Sequence, residues 1–144
     1  MHRRFEGAPT VALHCPWGPV QVVLAEGFRR RFLGLMGLSA EEIEPLLFPR
    51  CRSIHTHGMR TPIDLVWLDL DEARVLEVVE SLKPGRGARA PRGVPRSRNI
   101  AALELAPGEA SRLGLARVSN ERHAAEAVGL AGVMEDPLVR VLRA

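Results

Sequence analysis

Apolar residues along this chain recur at every second position or in short unbroken runs, and only rarely at the three-and-four spacing of a helix. Residues 10–14 and 20–25 are two such runs. Pro16-Trp17-Gly18-Pro19 between them is turn chemistry, so the pair predicts a hairpin. Residues 52–57, 63–70 and 74–82 are β-branched or leucine-rich strands, the last two joined by a bend over Asp69–Ala73. NIAALEL, residues 99–105, reads as another strand, and Leu-Val-Arg-Val-Leu from Leu138 as a last one. Helical spacing is confined to short stretches. Phe28, Phe32, Leu35 and Met36 predict a short helix, and Ser39-Ala40-Glu41-Glu42 has the capping-box pattern of a second one that stops near Pro45. Residues 107–114 predict a helix of one or two turns, with Pro near its start and Gly at its end, and residues 121–128 another helical stretch. Short strands without βαβ alternation predict a mainly β protein with a minor α component: a compact β-sandwich or barrel with two or three short helices.

Composition narrows the class. A chain of 144 residues fits one domain, 1–144, long enough to bury a core without staples. Its 46% apolar and 26% charged content is that of a globular protein, which argues against wholesale disorder. The net charge of +3 comes almost wholly from arginine, with Lys83 the only lysine. Tyrosine is absent and aromatics make up 4%, leaving little to stack on bases, so nucleic acid is not an expected partner. Residues 83–98 carry six positive charges and no acids among prolines and glycines. They read as a mobile, solvated connector rather than an anion-binding arm. No apolar leader segment follows the N-terminus and no run of 18 apolar residues exists, so no membrane association is expected. Cys15 and Cys51 lack metal or redox spacing, and two thiols fit a cytoplasmic protein.

Candidate chemistry is sparse. His55 and His57 flank Thr56 on a predicted strand, which puts both imidazoles on one face, the geometry of His-x-His metal ligands. A third ligand would have to come from Cys51, Asp64, His14 or a more distant residue, so no metal is expected and the pair stands as an alternative. Asp64 and Glu104 each sit in an apolar run, where burial raises a carboxyl pKa and two such groups could divide acid and base roles. Neutralisation by Arg31, locking helix to sheet, is the preferred reading. Nucleophile candidates are poor, and no phosphate-binding glycine motif is present, so no cofactor is expected.

Three blocks in order carry a resemblance: Arg31-Phe32-Leu33-Gly34-Leu35-Met36, then Pro62-Ile63-Asp64 opening a strand and hairpin, then Leu103-Glu104-Leu105 before a Gly-containing short helix. Together they resemble the domain-of-unknown-function 192 family over a core of about 20–118, which leaves a C-terminal extension, 119–144, outside. The resemblance implies a compact sandwich or barrel, brings no settled activity, and matches at Arg31, Gly34, Leu35, Met36, Pro62, Asp64, Leu103 and Glu104. Ile54-His55-Thr56 replaces an aromatic-Trp-Met segment common in relatives, which places His55 where a tryptophan is usual. The expected function is therefore a non-enzymatic domain that binds a small ligand or a partner protein. His55, His57, Asp64, Glu104 and Arg31 are its candidate ligand-binding residues. A metal-binding protein or metal-dependent enzyme using His55 and His57 is the alternative, and an accessory nucleic-acid binder the least favoured reading.

Overall fold

The structure, a computed structural model, describes residues 3–25 and 34–116. Eight strands are formed: β1 (Thr10–Cys15), β2 (Gly18–Leu24), β3 (Leu46–Phe48), β4 (Ser53–His55), β5 (Ile63–Asp69), β6 (Arg74–Leu82), β7 (Gly87–Arg89) and β8 (Ile100–Leu105). Short 3-10 turns lie at Arg3–Phe5 and Ala40–Glu42, and a single-turn helix α1 spans Glu109–Arg112. Six strands make one sheet in the order β1-β2-β3-β8-β5-β6, antiparallel throughout except for the parallel β2–β3 pair. The remaining two, β4 and β7, pair antiparallel as a second small sheet. The protein is mainly β, of the sandwich or barrel-like kind that its strand pattern predicts.

The central strands explain the unbroken apolar runs. Every residue of β5 and of β8 is buried, because each lies mid-sheet with apolar layers on both faces. One layer contains Leu13, Val22, Leu24, Val66, Leu68, Leu103 and Leu105, with Ala110 and Leu113 from around α1. The other contains Phe5, Leu35, Leu46, Phe48, Leu65, Trp67 and Ala102, and the β4–β7 pair packs on it through Ile54 and Ala88. Both predicted hairpins form, β1–β2 across the Pro16-Trp17 turn and β5–β6 across the acidic bend. The capping box also forms: Ser39 N–H and hydroxyl both donate to Glu42 Oε1, at 3.1 and 2.7 Å.

Three expectations change. Residues 46–48 form a strand that the sequence hides, because a three-residue run after Pro45 shows no periodicity. The predicted helix ending at Met36 falls mainly outside the described residues, and its end, 34–37, is a turn. The basic segment 83–98 is not a bare connector. It contains β7, and the Arg52 guanidinium donates to the carbonyls of Val94 (3.3 Å), Pro95 (2.5 Å) and Arg98 (3.1 Å). The C-terminal extension, 119–144, lies outside the described residues, as do its predicted helix and strand.

Candidate functional site

The Gly34-Leu35-Met36-Gly37 segment makes a turn with positive φ at both glycines, +45° and +77°. Arg4 holds it from the N-terminal side, its Nη1 donating to the carbonyls of Gly34 (3.0 Å) and Met36 (2.7 Å). On the other side Gly37 N–H donates to Gly58 O at 3.0 Å. Gly58, at φ +77°, has no room for a side chain: a Cβ there would lie 2.6 Å from Met36 Cγ. The glycine turn and the His55-Thr56-His57-Gly58 turn therefore dock on each other through their glycines.

Thr56 fixes the histidine turn from beneath. It is buried, its Oγ1 lies 2.6 Å from Lys83 O, and it accepts from Arg86 N–H at 2.8 Å. Its backbone N–H donates to Arg86 O, and its carbonyl accepts from Gly85 N–H. Those bonds leave the flanking imidazoles facing outward, both exposed, with ring centroids 5.1 Å apart and planes tilted by 36°.

Between the two turns lies a pocket of about 220 Å³. Leu35, Met36, Phe48, Ile54 and Met59 supply apolar wall, and Gly34, Cys51, Ser53, His55 and His57 complete its lining. Glu104 of β8 also reaches it. A Cβ on Gly34 would come within 3.4 Å of Phe48 Cζ and 3.9 Å of Glu104 Oε2, so the bare glycine lets the turn approach both. Glu104 is only 5% exposed, and no hydrogen bond or ion pair to its carboxylate is made among the described residues. Burial accordingly pushes its pKa up to about 8, leaving it mostly protonated at neutral pH.

The sequence-predicted residues divide. His55, His57 and Glu104 converge on this pocket. Asp64 does not. Register pairs Asp64 with Leu105 and Leu65 with Glu104, and directly paired residues share a face, so the two carboxyls project to opposite sides of the sheet. Asp64 is a buried acceptor for backbone: Oδ1 takes Ser81 N–H at 3.0 Å, and Oδ2 takes Gly108 N–H at 3.0 Å and Ala110 N–H at 3.1 Å. A joint Asp64–Glu104 network is thus overturned by strand alternation, and Arg31 lies outside the described residues. Cys51 lines the pocket with the two histidines, but no group of three or more His, Cys, Asp or Glu among the described residues could hold a metal ion. Phe48, Met59 and Ser53 had no signal in the sequence, since β3, β4 and the glycine turn meet only through the fold.

Comparison with known proteins agrees on architecture. A crystal structure of a protein of unknown function from Novosphingobium aromaticivorans DSM 12444 matches with a TM-score of 0.56 at 24% identity, over 75% of this chain and 79% of that one. A crystal structure from Sinorhizobium meliloti 1021, described as a candidate transcription regulator, matches with a TM-score of 0.54 at 21% identity, over 74% and 85%. At that identity the likeness is one of fold. No curated protein matches the sequence. The family described as Uncharacterized ACR, DUF192, matches over residues 13–120, which takes in the glycine turn, the histidine turn, Asp64 and Glu104. The chain belongs to this domain-of-unknown-function 192 family.

Proposed function

We propose that this protein is a small-ligand-binding domain without catalytic activity, and that its ligand occupies the pocket between the glycine and histidine turns. One observation carries the reading: Glu104, a residue only 5% exposed, ends in an open pocket with no partner for its carboxyl among the described residues. Burying a polar group without a hydrogen bond is costly, and a structural carboxyl in this fold, Asp64, is saturated with backbone donors. Apolar walls with a few convergent polar groups and one perturbed carboxyl are the usual make-up of a ligand site. At about 220 Å³ the pocket falls below the roughly 300–1,000 Å³ typical of drug-sized ligands, so its ligand is correspondingly small. Cys15 and Cys51 are both thiols, which accords with a reducing, cytoplasmic setting.

Saturation-transfer NMR with a library of small polar molecules tests the reading. Compounds that bind should compete for one site and lose binding in Met59→Trp, which fills the pocket from a half-buried position. Binders indifferent to both Met59→Trp and Glu104→Gln would place the function elsewhere, and turnover of a bound compound would make the domain an enzyme.

A further inference from the structure

We propose that the pocket takes a small organic cation, a primary alkylammonium whose charged end lies against the Glu104 carboxylate and whose hydrocarbon lies along Phe48, Met36 and Met59. The inference rests on the ligand-binding reading above and specifies the chemistry of its ligand.

Four observations converge. First, Glu104 has no partner among the described residues and is nine-tenths buried, and the strongest relief for it is a charge-assisted N–H donor, about twice as strong as a neutral one. Second, no lysine or arginine lines the pocket among the described residues, in a chain that has 20 of them. An anionic ligand would find no fixed positive charge there among the described residues. Third, the walls are electron-rich. The Phe48 ring lines the pocket, with its Cζ and Glu104 Oε2 both close to the Gly34 turn, and an aromatic ring is a partner for cations. Met36, Met59 and Cys51 add polarizable sulfur. Fourth, a pocket of about 220 Å³ with Leu35, Met36, Phe48, Ile54 and Met59 along its walls suits a short alkyl chain better than a larger nucleoside.

Binding would carry a proton signature. Glu104 is mostly protonated at neutral pH, so an arriving ammonium displaces that proton to solvent and an ion pair replaces a neutral acid. Affinity should therefore rise about tenfold per pH unit below Glu104's pKa and level off above it. The ammonium itself keeps its charge over that range, as a lysine side chain does with its pKa of about 10.4. His55 and His57, and the Cys51 thiol, are the other titratable groups facing the pocket from the described residues. Protonated imidazoles would also repel a cation in acid, so the Glu104→Gln variant is needed to separate the two contributions.

The experiment follows the ¹³C-methyl signals of Met36 and Met59 in the full chain, titrated with n-butylammonium, neutral butyramide and anionic butyrate from pH 6 to pH 9. The proposal expects saturable shifts of both signals with butylammonium, weakened at least tenfold in Glu104→Gln, with affinity rising toward pH 8 and no shift with butyrate. Because a free amine and a partner's lysine present the same group, an acetyl-Gly-Lys-Gly-amide arm distinguishes them. Tighter binding of the peptide assigns a lysine side chain, and tighter binding of butylammonium a free amine. Butyramide binding as tightly as butylammonium at pH 7.5, or affinity that falls as pH rises, would overturn the cation while leaving the pocket a ligand site. Silence of both methyl signals to every probe would overturn the ligand-binding reading with it.

Discussion

Asp64 accepts three backbone N–H groups, from Ser81, Gly108 and Ala110, and so joins the end of β6 and the start of α1 to the start of β5. The four residues of α1 are too few to hold themselves together, and the carboxylate satisfies two donors at its N-terminal end, of which Ala110 N–H belongs to a buried residue. Bonds to a charged acceptor contribute about 1.5–3 kcal/mol each, though not additively. Asp64→Ala should therefore cost at least about 3 kcal/mol in urea unfolding, with Asp64→Asn intermediate because it keeps one acceptor oxygen. An Asp64→Ala variant as stable as the wild type would mean that other groups cap these donors. Glu104, one strand away, makes no such bonds among the described residues. The sequence presents both residues alike, as single acids among leucines and isoleucine, and only the direction in which each side chain projects separates a structural carboxylate from a pocket one.

At the scale of elements, the site depends on how the second small sheet is pinned. β4 and β7 share only three residue pairs, Ser53–Arg89, Ile54–Ala88 and His55–Gly87, so strand pairing alone holds them weakly. Thr56 bonds to Lys83 and Arg86 on one flank and Arg52 bonds to carbonyls of 94, 95 and 98 on the other, giving the pair both its ends. Thr56→Val keeps the shape but removes the hydroxyl, at a cost of about 1–3 kcal/mol for the groups left unpaired. Limited trypsin digestion should then cut faster after Arg86 and Arg89 than it does in the wild type. Equal cutting rates would show that the Arg52 clamp suffices. The expectation of an open basic loop came from composition, which registers charges and prolines but not a clamp supplied by Arg52, more than 40 residues away from the carbonyls it holds.

For the whole molecule, Glu104 links stability to pH. Its folded pKa, about 8, lies above the ordinary value of 4.5, so between those limits the folded state binds more protons than the unfolded one. Stability is then greatest below about pH 4.5 as far as this group is concerned, falls as pH rises toward 8, and levels off above it. The slope of this contribution approaches about 1 kcal/mol per pH unit in mid-window. Urea midpoints from pH 5 to pH 9 should show a decline in the wild type that Glu104→Gln removes, and the variant should be the more stable of the two at pH 8. A wild-type profile as flat as that of the variant would show that Glu104 ionises normally.

The sequence by itself determined the strands that carry strong patterns, the two hairpins, the capping box at Ser39 and the mainly β class, because alternation, turn chemistry and caps are local and act within a few residues. It also singled out His55, His57 and Glu104. Tertiary structure alone decided which of the candidates meet. Strand register set Asp64 and Glu104 on opposite faces, since one residue of alternation reverses a side chain. The close approach of Gly34 to Phe48 and Glu104, and of Gly58 to Met36, joined turns more than 20 residues apart into one pocket wall. Neither effect leaves a mark in the local pattern, because both arise from contacts between segments whose separation along the chain is set only when the sheet closes over its core.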